Sequence, residues 1–129
     1  MTYQHKVLLI EDDEFTRFMM REIISGLGVE VEIASNGDEG CRTLADRPEE
    51  FGLVLMDLHM PVMSGIDAAR RIRSEISDDH RHIPIIAVTA DVTYHDASRV
   101  RKLGMDGFTS KPVSPGTLLS LIDQYCAAA

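Results

Sequence analysis

The sequence predicts a doubly wound α/β domain, a parallel sheet with helices on both faces, from three observations. Almost wholly apolar runs recur at residues 6–10, 53–57 and 85–88, the pattern of strands buried on both faces. Stretches with apolar residues at helical spacing follow them. The connections are short, and no linker, repeat or composition shift divides the chain. Two weaker strand-like segments bring the count to five, so the expectation is one (βα)5 domain over residues 1–129, with its core at about 6–125.

The first strand, residues 6–10 (Lys-Val-Leu-Leu-Ile), ends on Glu11-Asp12-Asp13. Phe15, Phe18, Met19, Ile23 and Leu27 then recur at helical spacing, Asp13 can cap the helix start, and Gly26 or Gly28 can stop it. Residues 29–34 alternate Val29, Val31 and Ile33 with Glu30 and Glu32, which suits a more exposed or edge strand. Asn36-Gly37 turns the chain into a helix over 38–46, closed near Pro48. The third strand, 53–57, runs four apolar residues into Asp57. Ser64-Gly65 opens a helix with Ile66, Ala69, Ile72 and Ile76 on one face and Arg70, Arg71 and Arg73 on a solvated one. A polar loop over 77–82 leads through Pro84 to the fourth strand, which ends on Thr89-Ala90-Asp91. A helix over about 94–103 follows, with a thin apolar face of Ala97, Val100 and Leu103, closed by Gly104. Residues 107–110 form the last strand, running into Lys111-Pro112. The final helix, 114–125, buries Leu118, Leu121 and Ile122.

Composition narrows the class. With 129 residues, 44% of them hydrophobic and 26% charged, the chain can bury a real core. No apolar stretch approaches the roughly 20 residues that span a bilayer, and residues 1–6 carry no signal-peptide h-region. The expectation is a cytoplasmic protein with no direct membrane contact. Net charge is −8, which argues against a nucleic-acid partner. The two cysteines, Cys41 and Cys126, fit neither a CxxC motif nor a close metal spacing and read as plain thiols. Ala127-Ala128-Ala129 reads as a tail remnant.

The strand ends carry the chemistry. In a parallel sheet they share one edge, where open α/β folds bind ligands. The first strand stops at Glu11-Asp12, the third at Asp57, the fourth at Thr89 and the fifth at Lys111. Asp57 alone is as readily an N-cap or turn former. Three carboxylates, a hydroxyl and an ammonium meeting at one edge are harder to explain that way. Carboxylates about 4 Å apart repel by roughly 4 kcal/mol per pair at an effective dielectric of 20. A lysine and a divalent cation would offset that repulsion, and hard oxygen ligands suit Mg²⁺ rather than zinc.

The chain resembles the response-regulator receiver domain of two-component signalling from Val7 to about Tyr125. The resemblance rests on Leu9-Ile10-Glu11-Asp12-Asp13, on Met56-Asp57-Leu58-His59-Met60-Pro61-Val62-Met63-Ser64-Gly65, on Val88-Thr89-Ala90 and on Ser110-Lys111-Pro112. It implies a flavodoxin-like sheet in the order 2-1-3-4-5. It further implies that Asp57 accepts a phosphoryl group from a phosphohistidine on a histidine kinase or histidine phosphotransfer domain. Asp12 and Asp57 would ligate Mg²⁺ with the backbone carbonyl of His59, and Glu11 would act through a bound water. Lys111 would pair with Asp57 and then with phosphoryl oxygens, Thr89 would donate its hydroxyl to one of them, and small Ala90 would let the backbone approach. The Lys111-Pro112 bond is cis in similar proteins.

Output would come from Thr89 moving toward the phosphoryl group while Phe108 turns inward, repacking the surface of the fourth helix, fifth strand and last helix for a downstream protein. A plain core aromatic is the competing reading of Phe108, which also lacks a tyrosine's hydroxyl. His59 and Asp91, each two residues past a site residue, would steer the hydrolytic water and set the lifetime of the acyl phosphate. Such a chain phosphorylates and dephosphorylates itself rather than turning over substrate. Residues 56–65 and 106–112 are worded like receivers attached to hybrid sensor histidine kinases, which leaves two expectations, an excised receiver ending in the Ala127-Ala128-Ala129 remnant or a stand-alone regulator. Two other classes compete. A Mg²⁺-dependent phosphohydrolase of haloacid dehalogenase type would need a second Asp where His59 stands. A phosphorylation-independent binding module would usually lack one of the site residues.

Overall fold

The structure is a computed structural model describing residues 3–76, 80 and 82–127. Its parallel sheet is built from β1 (Lys6–Ile10), β2 (Val31–Ala34), β3 (Phe51–Asp57), β4 (Ile85–Thr89) and β5 (Gly107–Ser110), in the order β2-β1-β3-β4-β5. The helices are α1 (Glu14–Gly26), α2 (Gly37–Asp46), α3 (Gly65–Glu75), α4 (Ala97–Lys102) and α5 (Pro115–Cys126). The doubly wound α/β arrangement, with the flavodoxin-like order, is the one expected. The tail residues 128–129 and part of the 77–82 loop lie outside the described residues, as do residues 1 and 2.

Burial follows from strand position. The central strands β1, β3 and β4 are apolar because both faces are covered, and Leu8, Leu9, Leu55, Ile85 and Ala87 are essentially inaccessible. Val54, Met56 and Ile72 pack into one core layer with Leu44 and Val100; Leu9, Leu53 and Val88 pack into the other with Met20, Ile24, Leu118 and Ile122. β2 is an edge strand, and only Ala34 in it is buried. Both free cysteines are buried, and burial pushes each thiol up to about 11.

Several local expectations are corrected. The core-facing stripe of α1 is Met20 and Ile24, with Ile23 and Leu27 half-buried, whereas Phe15, Phe18 and Met19 are 70%, 60% and 41% exposed. Two apolar stripes overlap on this helix, and at 3.6 residues per turn the sheet selects one centred about 120° round from the stripe of Phe15, Phe18, Met19, Ile23 and Leu27. Strand β2 begins at Val31 rather than at residue 29, although Val29 is buried. Helix α4 is shorter than 94–103: residues 92–94 form a separate 3₁₀ turn capped by Asp91, and Asp96 caps α4. Its apolar face reduces to Val100, since Ala97 is exposed.

The arginines of α3 do not form one solvated side. Arg73 is half-buried, donating to the carbonyls of Gly104 at 2.9 Å and Ile83 at 2.7 Å and pairing with Asp106 at 3.0 Å. Arg71 bridges Asp38 and Glu75, both at 2.8 Å. Sequence spacing marks these residues as off the core face, but it does not show that neighbouring loops cover them.

Candidate functional site

Four of the five strand ends deliver side chains to the same edge, and β2 contributes none. β1 hands over Glu11 and Asp12, and Asp13 immediately caps α1, its carboxylate accepting from the Thr16 N–H at 2.8 Å. β3 ends at Asp57, buried but for one edge. Ser64 caps α3 just after the loop that follows. That helix start is pressed against the strand end: a Cβ at Gly65 would meet the Asp57 carbonyl oxygen and lie 2.8 Å from the Leu58 Cα. Only glycine permits this approach. Thr89 lies one residue past the β4 partner of Asp57 and is buried. Lys111 follows β5, before a cis Lys111–Pro112 bond.

Carboxylate oxygens of Glu11, Asp12 and Asp57 lie within 4.8 Å of one another. Lys111 Nζ sits 2.8 Å from Glu11 Oε1 and 3.5 Å from Asp57 Oδ1. The Glu11 contact is an ion pair at close range but not an aligned hydrogen bond, and Oε1 is a buried oxygen without a hydrogen-bond partner. Its other oxygen accepts the Asp13 N–H at 3.1 Å. Burial pushes the Glu11 carboxyl up to about 7, opposed by Lys111 and the Asp13 N–H and reinforced by Asp57. Burial also pulls the Lys111 ammonium down, but Glu11 and Asp57 outweigh it and leave the group above its ordinary value. An all-oxygen donor set of three clustered carboxylates fits a hard divalent cation such as Mg²⁺.

Asp57 Oδ1 accepts the His59 backbone N–H at 3.3 Å, while the His59 imidazole turns outward to Asp91, Nε2 to Oδ2 at 2.9 Å. The two residues proposed to steer water therefore touch, bridging the loops after β3 and β4. The Asp91 carboxyl is held low by the Thr93 N–H first and His59 after it. Thr89 Oγ1 accepts the Asp91 N–H at 3.0 Å. Ala90 is exposed at the rim, and Phe108 is half-buried against the core.

Sequence reasoning missed three features around the site. Arg17, one turn into α1, donates to the carbonyls of Asp12 at 2.8 Å and Glu11 at 3.2 Å, fixing the acidic loop. Val62 projects from the loop after β3, 90% exposed at a φ of 72°. A groove of about 290 Å³ runs beside the acidic cluster, lined by Phe15, Met19, Lys111, Pro112 and Val113 among others. Phe15 and Met19 were the available signal, but the sequence reading used them only as part of a helical spacing.

The profile described as "Response regulator receiver domain" matches residues 7–123. The polar-differentiation response regulator DivK of Brucella anthropi is 33% identical over 124 residues, covering 95% of this chain and 97% of that protein. The hybrid signal transduction histidine kinase G of Dictyostelium discoideum is 34% identical over 126 residues, which are 96% of this chain and 4% of that kinase. Among solved structures, the receiver domain of the sensor histidine kinase PA1611 of Pseudomonas aeruginosa superposes with a TM-score of 0.80 at 28% identity, covering 94% of this chain and 96% of that one. That structure has a magnesium ion coordinated in the active site cleft.

Proposed function

The chain belongs to the response-regulator receiver family of two-component signalling, and from that premise we propose that Asp57 is its phosphoacceptor. The observation carrying this is the placement of Asp57 within one cluster with Glu11 and Asp12 and beside Lys111. A carboxylate oxygen of Asp57 attacks the phosphorus of a phosphohistidine on a histidine kinase or phosphotransfer domain. The O–P bond forms as the N–P bond breaks, and the histidine nitrogen keeps the electron pair. Lys111 balances charge on the incoming oxygens, Thr89 donates its hydroxyl to one, and Ala90 leaves its backbone room to approach. Glu11, Asp12 and Asp57, with the His59 carbonyl, would hold Mg²⁺, whose role when bound is to neutralise the nucleophile and the transferring group.

The donor protein meets Phe15, Phe18 and Met19 on α1 beside the acceptor, an apolar ledge. The touching pair His59 and Asp91 controls water at the mouth and so the lifetime of the acyl phosphate. Movement of Thr89 and Phe108 reshapes the α4-β5-α5 surface for a downstream protein. The receiver unit spans the chain, with its core at 6–125. No described helix is long and apolar enough to cross a membrane; a cytoplasmic location follows from the proposed exchange with a histidine kinase or phosphotransfer domain.

Acetyl phosphate with Mg²⁺ should label the wild type stoichiometrically and leave Asp57→Asn unlabelled. Steady turnover of a generic phosphatase substrate would instead favour the dehalogenase-type reading. The side chain that such an enzyme needs as its acid is here an imidazole bound to Asp91.

A further inference from the structure

We propose that His95 is the positioning residue that carries a change at the acceptor site to the α4-β5-α5 surface. It grips Thr89 through a ring nitrogen and Phe108 through its ring face. The proposal rests on the reading of Asp57 as phosphoacceptor and adds a residue that no motif marks.

His95 stands between the 3₁₀ turn at Val92–Tyr94 and Asp96, the cap of α4. Its Nε2 lies 3.0 Å from the Thr89 carbonyl oxygen. A carbonyl only accepts, so Nε2 carries the proton in this contact. The same oxygen takes the Lys111 backbone N–H at 3.2 Å. Both lone pairs of the Thr89 carbonyl are therefore used, one by the start of the segment carrying Lys111 and one by His95. The imidazole also lies nearly parallel to the Phe108 ring, at an interplanar angle of 7° with centroids 5.2 Å apart, an offset stack.

This arrangement supplies what Phe108 lacks. A phenylalanine has no polar atom with which to sense the end of β4, and its own neighbour in the sheet ladder is Ala87. With its edge bonded to Thr89 and its face on Phe108, the imidazole cannot stay in both contacts if the strand end moves. When Thr89 is drawn to a phosphoryl oxygen, its carbonyl turns with it. Either the imidazole follows and uncovers Phe108, or it lets go of the carbonyl. Asp96 is the next residue, so either response shifts the start of α4. That helix has a single buried side chain, Val100, to resist the shift.

The test uses the whole chain with Mg²⁺ and beryllofluoride, a mimic of the acyl phosphate, followed by amide and aromatic NMR shifts. Three variants dissect the contacts: His95→Phe keeps a stacking ring without the N–H, His95→Gln keeps a donor without the ring, and His95→Ala keeps neither. All three should shift at Asp57, which His95 does not touch, as the wild type does, and take label from acetyl phosphate within twofold of it. Shifts at the Phe108 ring and at residues 97–102 should fall below half of the wild-type size in each, and lowest in His95→Ala. If either His95→Phe or His95→Gln transmits the full remote shift, the proposal is overturned while the acceptor reading stands. If the wild type shows neither label nor shift at Asp57, the acceptor reading itself has failed and the proposal goes with it.

Discussion

Glu11 shows how a buried carboxyl sets the pH behaviour of the site. Its ordinary value of 4.5 rises to about 7 on folding, because burial outweighs Lys111 and the Asp13 N–H. The folded chain therefore keeps a proton that the unfolded chain releases above pH 4.5. The stability this carboxyl contributes is complete below pH 4.5 and is lost as pH rises through 7. The shift corresponds to about 3 kcal/mol. In EDTA, urea melts should find Glu11→Gln more stable than the wild type by about 2–3 kcal/mol at pH 8, and nearly equal to it at pH 4.5. Saturating Mg²⁺ should erase the gain at pH 8. A less stable Gln variant at pH 8 would mean that the Lys111 pair, not burial, dominates. Val62 is a second residue-scale case. A β-branched residue at φ 72° costs on the order of 1–2 kcal/mol, and Val62 makes up for none of it by burial. Val62→Asn should gain about 1 kcal/mol, seen as a thermal midpoint higher by about 3 °C.

At the scale of elements, α1 has two jobs on different faces. Met20 and Ile24 hold it to the sheet, while Phe15, Phe18 and Met19 face solvent, Phe15 and Met19 lining the groove that reaches Lys111. Exposed apolar side chains add little to stability, so Phe18→Ser and Met19→Ser should change it by less than about 0.5 kcal/mol. They should slow transfer from a phosphohistidine-bearing protein at least tenfold and leave labelling by acetyl phosphate unchanged. Equal slowing with both donors would place the side chains in the chemistry, and no slowing would remove the ledge from docking. The buried face of α1 is instructive: periodicity reports that a helix has an apolar stripe, but seven apolar residues between positions 15 and 27 support more than one. Helix α4 errs the other way. Asp91 and Asp96 both accept from backbone N–H groups, so two caps break a segment that spacing alone joins into one helix.

Across the whole molecule, stability is distributed from the middle outward. β1, β3 and β4 are buried on both faces, while α4 spans six residues and buries only Val100. Native-state hydrogen exchange should find the amides of β1, β3 and β4 opening only with global unfolding, and those of α4 opening first among the helices. Equal protection of α4 and the central strands would argue against α4 as a movable output element. The same gradient puts the rigid scaffold under Asp57 and the least anchored helix beside β5. Between them lies a short path, from Thr89 through His95 to Phe108.

The sequence by itself determined the fold class, the five strands and the edge on which their ends converge. Central parallel strands must be apolar throughout, and the period of a βα unit then places every strand end on one side. That is why Glu11, Asp12, Asp57 and Lys111, which the structure brings together, were legible as a group. Tertiary structure alone decided which stripe of α1 faces the sheet, that Arg73 is covered by neighbouring loops, that His59 reaches Asp91, and that His95 joins Thr89 to Phe108. Those outcomes depend on contacts between segments distant in sequence or on loops without a period, and a spacing rule carries no information about either.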